Sequence, residues 1–574
     1  MHPIIRLSVL LCWIALMSVR FISGDHADSN KARAASQDLA QVAAATPDLP
    51  RLFLDAAYVP PQGRTINVSE GEDLQAAINA AKPGDVVALQ PGAIFVGNFI
   101  LPNKFLDRPN NQDQWIVIRS AASDACLPSP GTRISPENAD ALPKIVTPNV
   151  ASAIGTGDGA HHYRLIGLEI GVTAEVDYSY DLVRLGGESA FDHPIPHDLI
   201  IDRCYIHGEK NTSISRGIAL NSARTAIIDS YISEIHGDGF DTQAICGWNG
   251  PGPFKIANNY LEASGENLMF GGADPSINGL IPADIEIRGN HFYKPMTWRV
   301  GAPEYAGKHW TVKNLLELKN SQRVLIEGNV FENNWADAQV GFALVFVSVN
   351  QDGRAPWSVT RDVTFINNII RNSQNGLNLL GRDPTHVSGS MRRVLVRNNL
   401  WEDLDGIRWR SQPGIFLQIS DVPDLTVDHN TVIHTGQVIS VYGPTNPGFV
   451  YTNNISAHNE YGVKGDGEGS GLGTIAAYMP AAIFTKNVLA GGASNIYPAN
   501  NFFPASLTEV RFANASNNSY RLAASSPYRL AGTDGKDLGC DFDALGKAVS
   551  KTLNRVPLTH STPLPKPFCG KARL

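Results

Sequence analysis

Apolar and polar positions alternate in short runs along most of this chain. In "RVLIEG" and "DVTFIN" the Val, Leu, Ile and Phe side chains fall to one side and the charged ones to the other, the period of a half-buried strand. From about residue 160 such a strand is followed by Asn and then by one or more apolar residues. The clearest copies are "FKIANNYLEAS", "DIEIRGNHFYKP", "RVLIEGNVFENN", "DVTFINNIIRNS", "RVLVRNNLWEDL", "DLTVDHNTVIHTG", "GFVYTNNISAHN" and "AIFTKNVLAGG". They align Asn259, Asn290, Asn329, Asn368, Asn399, Asn430, Asn454 and Asn487, and two earlier strands put Cys204 and Ser230 at the same place. Spacings from Cys204 are 26, 29, 31, 39, 39, 31, 31, 24 and 33 residues. That is the period of one coil in a solenoid.

No unit is long enough to bury its own apolar face, so each must stack on its neighbours. About ten coils at roughly 4.8 Å each make a rod on the order of 50 Å long. The repeated Asn suits a corner between two strands, because it tolerates a left-handed backbone and bonds to nearby backbone groups. Stacked amides also satisfy one another in a column; sugar contact is the other reading of these residues. The 39-residue units between Asn290 and Asn368 carry insertions, as does the unit with "LMFGGADPSINGLIPAD". Variable loops on a constant scaffold are where a specific surface is expected. Ahead of the repeats, "GEDLQAAINAAKPGDVVALQPG" predicts a short helix with Leu74, Ile78 and Ala81 on one face, then a strand over 86–89, placed to cover the open end of a sheet.

The N-terminus changes the picture. His2 and Arg6 precede an apolar run from Leu7 to Val19 that ends at Arg20, the layout of a secretory signal and short for a membrane span. The expected division is a signal peptide over 1–27, a flexible arm over 28–62, the solenoid over 63–545 and a tail over 546–574. The protein is thus expected to be secreted or periplasmic, with no transmembrane segment beyond the signal. Lys plus Arg number 47 against 55 Asp plus Glu, a net charge of −8 with no basic domain, which argues against a nucleic-acid partner. Without Cys12, five widely spaced Cys remain and no CxxC pair exists, so zinc is not indicated. Cys540 and Cys569 are a candidate disulfide across the tail. The Asp-rich "GTDGKDLGCDFDAL" is expected to cap the last coil.

With the helix before the first coils, the "GN.F" and "NN.." turns and the ending "YRLAASSPYRLAGTDGKDLGCDFDAL", the chain resembles the right-handed parallel β-helix, pectate-lyase-like family. The resemblance spans roughly residues 65–545. It implies an all-β, single-stranded right-handed parallel β-helix with a short N-terminal capping helix, and a secreted bacterial protein acting on an extracellular polysaccharide as a lyase or glycoside hydrolase. A non-catalytic glycan-binding or adhesion protein is the alternative. The resemblance also leaves calcium open as a cofactor. No catalytic motif of the family carries over. The paired Asp and Gly-His-Gly of polygalacturonases are missing, "HGDGFDTQ" being only superficially similar, and the Asp-Pro-His-Asp of alginate epimerases is missing too.

The most polar, aromatic and irregular stretch runs from Glu234 to Gln339. Coils about thirty residues apart bring such segments onto neighbouring rungs. Acids Asp238, Asp241, Glu262 and Glu266 are followed by Lys294, Arg299, Lys308, Lys313 and Lys319. A carboxylate or imidazole moves a proton and a cation neutralises a uronate or developing charge. Asp238, Glu266 and His291 are therefore the acid/base candidates, with Lys294 and Lys313 stabilising charge. His236, Asp241, Asn267, Asn333 and the stacking faces of Trp298, Trp310 and Trp335 are the substrate-binding candidates. For the Trp residues, packing of loops onto the body is the competing reading. For "GENLMFGG", it is simple backbone turning.

Overall fold

Short alternating strands separated by corners wind into coils, and every full coil has three strands in one fixed order. Ala283–Arg288, His291–Tyr293 and Leu316–Leu318 form one example. In the computed structural model, residues 45–104, 114–187, 194–410, 413–517 and 519–553 are described. The expected signal peptide and about half of the arm lie outside them. Among the described residues, strands of successive coils pair in parallel into sheet A of 14 strands, sheet B of 13 and sheet C of 12. The chain is a right-handed parallel β-helix, and no described helix is long and apolar enough to cross a membrane.

The corner from sheet A to sheet B is built the same way in most coils. The residue before the aligned Asn is left-handed: Asn258, Asn367, Asn398 and Asn453 have φ between 55° and 59°, and Gly289 and Gly328 have 62° and 68°. This turns the chain from sheet A into sheet B and aims the Asn inward. Asn290 Nδ2 then donates to Ile256 O (2.8 Å) and to Asn329 Oδ1 (3.0 Å), while its backbone N–H donates to the same Oδ1 (2.9 Å). The pattern repeats from Asn259 to Asn487 and takes one further step to Asn501. Ser230 and Cys204 continue it the other way, through Ser230 N to Asn259 Oδ1 and Cys204 N to Ser230 Oγ. The eight Asn side chains are fully buried, so the column satisfies polar groups that have no access to water.

Inside, equivalent positions stack as rows. Ile218, Ile245, Leu268, Leu316 and Leu344 are successive partners in sheet C. Phe292 lies stacked on Phe331 at 4.4 Å, and Phe365 and Trp401 extend the aromatic file. The N-terminal end of this core is covered by helix Leu74–Ala80, whose first turn is capped by Asp73 accepting from Ala76 N (2.9 Å). Leu74, Ile78 and Ala81 are buried in the core.

Two segments lie on the outside. Residues 45–57 of the arm strap sheet A, with Asp48 N donating to Asp362, Arg51 N donating to Asp284, and Lys255 and Arg164 donating to the carbonyls of Leu54 and Ala57. This half of the arm is tied down by backbone bonds to side chains on four rungs. At the other end, the Asp-rich segment does not sit over the last coil. The chain turns back along the A–B corner, where Cys540 N meets Thr431 Oγ1, Asp541 N meets Asn398, and Thr552 Oγ1 donates to Gly328 O. Helix Phe542–Leu553 crosses the expected boundary at 545 and buries Leu545 and Val549 against Val330, Ile369 and Leu400 of sheet B. Cys540 is a free buried thiol donating to Asn399 O (2.9 Å), against the expected disulfide across the tail; Cys569 lies outside the described residues, and Cys126 is disulfide-bonded.

Candidate functional site

The strands of sheet C carry a local irregularity that decides which side chains face out. Gly217 and Ala244 stand where Asn267 stands one coil later, on the inner side. The residues before and after them in the register files, Arg216–Gln243–Glu266 and Ala219–Cys246–Met269–Glu317, run along the other side. Asp181 precedes Arg216 in the first file.

These files hold a layer of carboxylates with a layer of cations over it. Glu266, fully buried, accepts from Gln243 Nε2 (2.8 Å), and its other oxygen lies 3.5 Å from Lys313 Nζ. Lys313 also pairs closely with Asp241, which is exposed. Lys319 Nζ lies 3.5 Å from Glu317. Asp181 is bonded to Arg184 (2.7 Å) and lies 3.7 Å from Arg216, whose guanidinium sits between the rings of Tyr180 and Trp248 at 4.9 and 4.8 Å. The side chains of Arg216, Lys313 and Lys319 keep 19%, 15% and 15% exposure, while those of Glu266 and Glu317 keep almost none. A ligand on this face meets the part-exposed Arg216, Lys313 and Lys319 together with the exposed Asp241 carboxylate.

Burial works to lower the pKa of Lys313, but Glu266 and Asp241 outweigh it and hold the ammonium well above the ordinary lysine range. Lys319 is raised in the same way, by Glu317 and Glu266 against burial. Four buried oxygens of this layer, Asp181 Oδ1, Gln243 Oε1, Glu266 Oε1 and Glu317 Oε2, have no hydrogen-bond donor among the described residues. The acids needed for a calcium site are here committed to lysine and arginine, so this donor set does not fit a resident calcium ion.

Of the residues singled out from sequence, Glu266, Asp241, Lys313 and Lys319 meet here. The others are placed elsewhere. Lys294 points into the B–C corner, where Nζ donates to Ala263 O (2.7 Å), Ser264 O (3.0 Å), Gly265 O (2.6 Å) and Asn267 Oδ1 (3.1 Å). It closes that corner, and Asn267 is turned in with it, donating to Leu261 O and Tyr293 O. Asn333 donates to Lys294 O from the next rung. His291 lies on the outer face of sheet B, bonded to Glu332 (3.0 Å) between Tyr260 and Tyr293. His236 is buried and stacked on Trp310 at 3.9 Å, with Nε2 on Glu234. Trp298, Trp310 and Trp335 pack with Trp409 and Val312 under the long 294–315 insertion, leaving no ring face for a sugar. Asp238 is exposed on the 236–242 loop and meets His309.

Sequence reasoning passed over Arg216, Gln243 and Glu317. Sheet C strands lack the Asn marker, so their register was not readable; the alignable signal was only that a polar residue recurs two positions before an inward Ile or Leu in "SRGIAL", "TQAICG" and "GENLMF".

The sequence matches no protein-family profile and no curated protein sequence. Among solved structures, the PL6 family alginate lyase AlyGC is 13% identical over 83% of this chain and 58% of its own, with a TM-score of 0.44. Pectate lyase Pel9A is 12% identical over 83% and 96%, with a TM-score of 0.34. An alginate lyase from Paenibacillus sp. str. FPU-7 is 14% identical over 57% and 97%, with a TM-score of 0.29. Likeness at this level carries nothing about substrate or reaction. By its own winding of three parallel sheets, this protein is a right-handed parallel β-helix.

Proposed function

We infer that this protein acts on an acidic polysaccharide, cleaving it by β-elimination on the outer face of sheet C. The observation that carries this reading is the group of cations on this face, Arg216 on one strand and Lys313 and Lys319 flanking the strand three coils on, each paired with a buried carboxylate. The Arg216 guanidinium and the Lys319 ammonium neutralise a uronate carboxylate and acidify the adjacent C5–H. Lys313 in its free-base form takes the C5 proton. The C–H electron pair becomes the C4=C5 bond as the C4–O bond breaks, and the leaving oxygen takes a proton from solvent. Because the Lys313 ammonium is held above its ordinary pKa, the reactive form grows with pH and the rate climbs through the neutral range into alkali.

The test is incubation with a panel of acidic and neutral polysaccharides, reading both new reducing ends and the ultraviolet absorbance of the unsaturated product. Absorbance from an acidic polymer is expected, with Lys313→Ala reducing kcat by about 10²–10⁴-fold. Reducing ends without absorbance mean hydrolysis and overturn the elimination. One observation favours a second reading, glycan binding without chemistry: ammonium groups this firmly charged hold an anion well and are poor bases at neutral pH. Binding of the acidic polymer that is lost in Lys313→Ala, with no product from the unsubstituted protein, selects that reading.

A further inference from the structure

Away from sheet C, three histidines converge on sheet A. His161 and His162 open the strand His161–Ile166, and His197 opens the next strand, His197–Asp202, directly opposite His161 in register. Neighbouring residues of a regular strand point to opposite faces. Here His162 is left-handed, with φ 57°, and that breaks the alternation. Two adjacent imidazoles thereby reach one another, with Nδ1 of His161 and Nδ1 of His162 2.7 Å apart. His161 also stacks on His197, ring centres 4.4 Å apart. One ring nitrogen from each of the three lies within 4.8 Å of the others, and all three side chains are only partly buried.

The same left-handed position recurs along sheet A, but there it serves charge pairing. Arg323 is bonded to Asp284 (2.7 and 2.9 Å) and Arg393 to Asp362 (2.5 and 2.7 Å). Among the described residues of this column only His162 is an imidazole; one coil on, the left-handed residue is Asp198, paired with Arg224. The surroundings suit a metal ligand set. His197 Nδ1 lies 2.6 Å from Asp198 Oδ2, and a carboxylate on one ring nitrogen fixes the proton there and leaves the other nitrogen's lone pair outward. Arg224 reaches both residues, and its charge is balanced by Asp198.

We propose that His161, His162 and His197 bind a divalent transition-metal ion such as zinc, nickel or cobalt, stapling two consecutive rungs of sheet A. Imidazole is a ligand for these metals rather than for calcium or magnesium. Nitrogens around a tetrahedral zinc stand about 3.3 Å apart, given zinc–nitrogen bonds of about 2.0–2.1 Å. The His161–His162 contact therefore opens slightly on binding.

The experiment uses the full chain, stripped with chelator and titrated with Co²⁺ and Zn²⁺. The expected result is a single ion per chain, with intense visible Co²⁺ bands of a low-coordinate imidazole site and a metal-dependent rise in Tm. His161→Ala and His197→Ala are each expected to weaken binding by at least about 10-fold, and Asp198→Asn by about 10–100-fold through loss of its hold on His197. Failure of the unsubstituted protein to bind either ion at micromolar concentration overturns the proposal, as does a weak Co²⁺ spectrum of a hydrated, six-coordinate ion. Neither readout depends on a variant folding. Binding unchanged in both His variants overturns it as well.

Discussion

At the scale of single residues, chemical type proved a poor guide to role, and position in the coil decided it. Lys294 and Lys313 are nineteen residues apart in one insertion-bearing coil. One is locked by four acceptors inside a corner; the other faces out between two acids. Burial pulls the Lys294 pKa down to about 7, against the pull of Glu266 and Glu262, yet three carbonyls and an amide oxygen need donors, and only an ammonium supplies them. Lys294→Met is therefore expected to cost about 3 kcal/mol of stability, read as a lower urea midpoint, because the acceptors stay buried without partners. At temperatures where it remains folded, its kcat on the acidic polymer should match that of the parent. A large loss of kcat with unchanged stability would return Lys294 to the site.

At the scale of elements, the recurrent device is the left-handed corner, and it explains why Gly appears only where something crosses it. Asn fills the position before the ladder in coils whose corner is open enough for a side chain. Under helix Phe542–Leu553 the position is Gly328, where a Cβ would come within 2.7 Å of Ala548 O. Gly328→Ala combines that clash with an unfavourable left-handed alanine, worth about 1–2 kcal/mol on its own. The expected outcome is release of the terminal helix: hydrogen exchange over 542–553 rises while the ladder strands stay protected. Equal protection in both proteins would show that the helix docks without needing this glycine. The ladder was legible in sequence because each Asn makes the same bonds to the next rung, so the same residue recurs. The return of the C-terminal chain was not, since its contacts at Asn398, Thr431 and Gly328 lie over 100 residues away.

At the scale of the whole molecule, stability is spread along a stack in which each coil rests on its neighbours, so a buried titrating group in any coil affects folding. His434 is such a group. Its burial lowers its pKa to about 4, with Nε2 near Ala457 O (3.0 Å). The sign follows from linkage. As pH falls below about 6.5 the unfolded chain takes up a proton that the folded chain refuses, so stability present above 6.5 is lost between 6.5 and 4. His291, lowered by burial against the pull of Glu332, acts in the same direction. The Tm is expected to fall over this window, and His434→Gln to flatten part of the fall. An identical slope in the variant would assign the acid loss elsewhere.

What the sequence by itself determined was the winding: a period near thirty, strands alternating by two, and an Asn column that only stacked coils can satisfy. These are local or next-rung requirements, so each coil writes them again. The site was decided by tertiary structure. Glu266 and Lys313 meet only because 47 residues of chain pass once around the helix and through a long insertion between them, and the Trp residues of that insertion were needed to pack it down. Insertion length and loop packing have no periodic signature. The same stretch of polar and aromatic residues therefore yields a group of cations on one face, a closed corner behind it and a buried tryptophan cluster beside it, and only the folded chain separates the three.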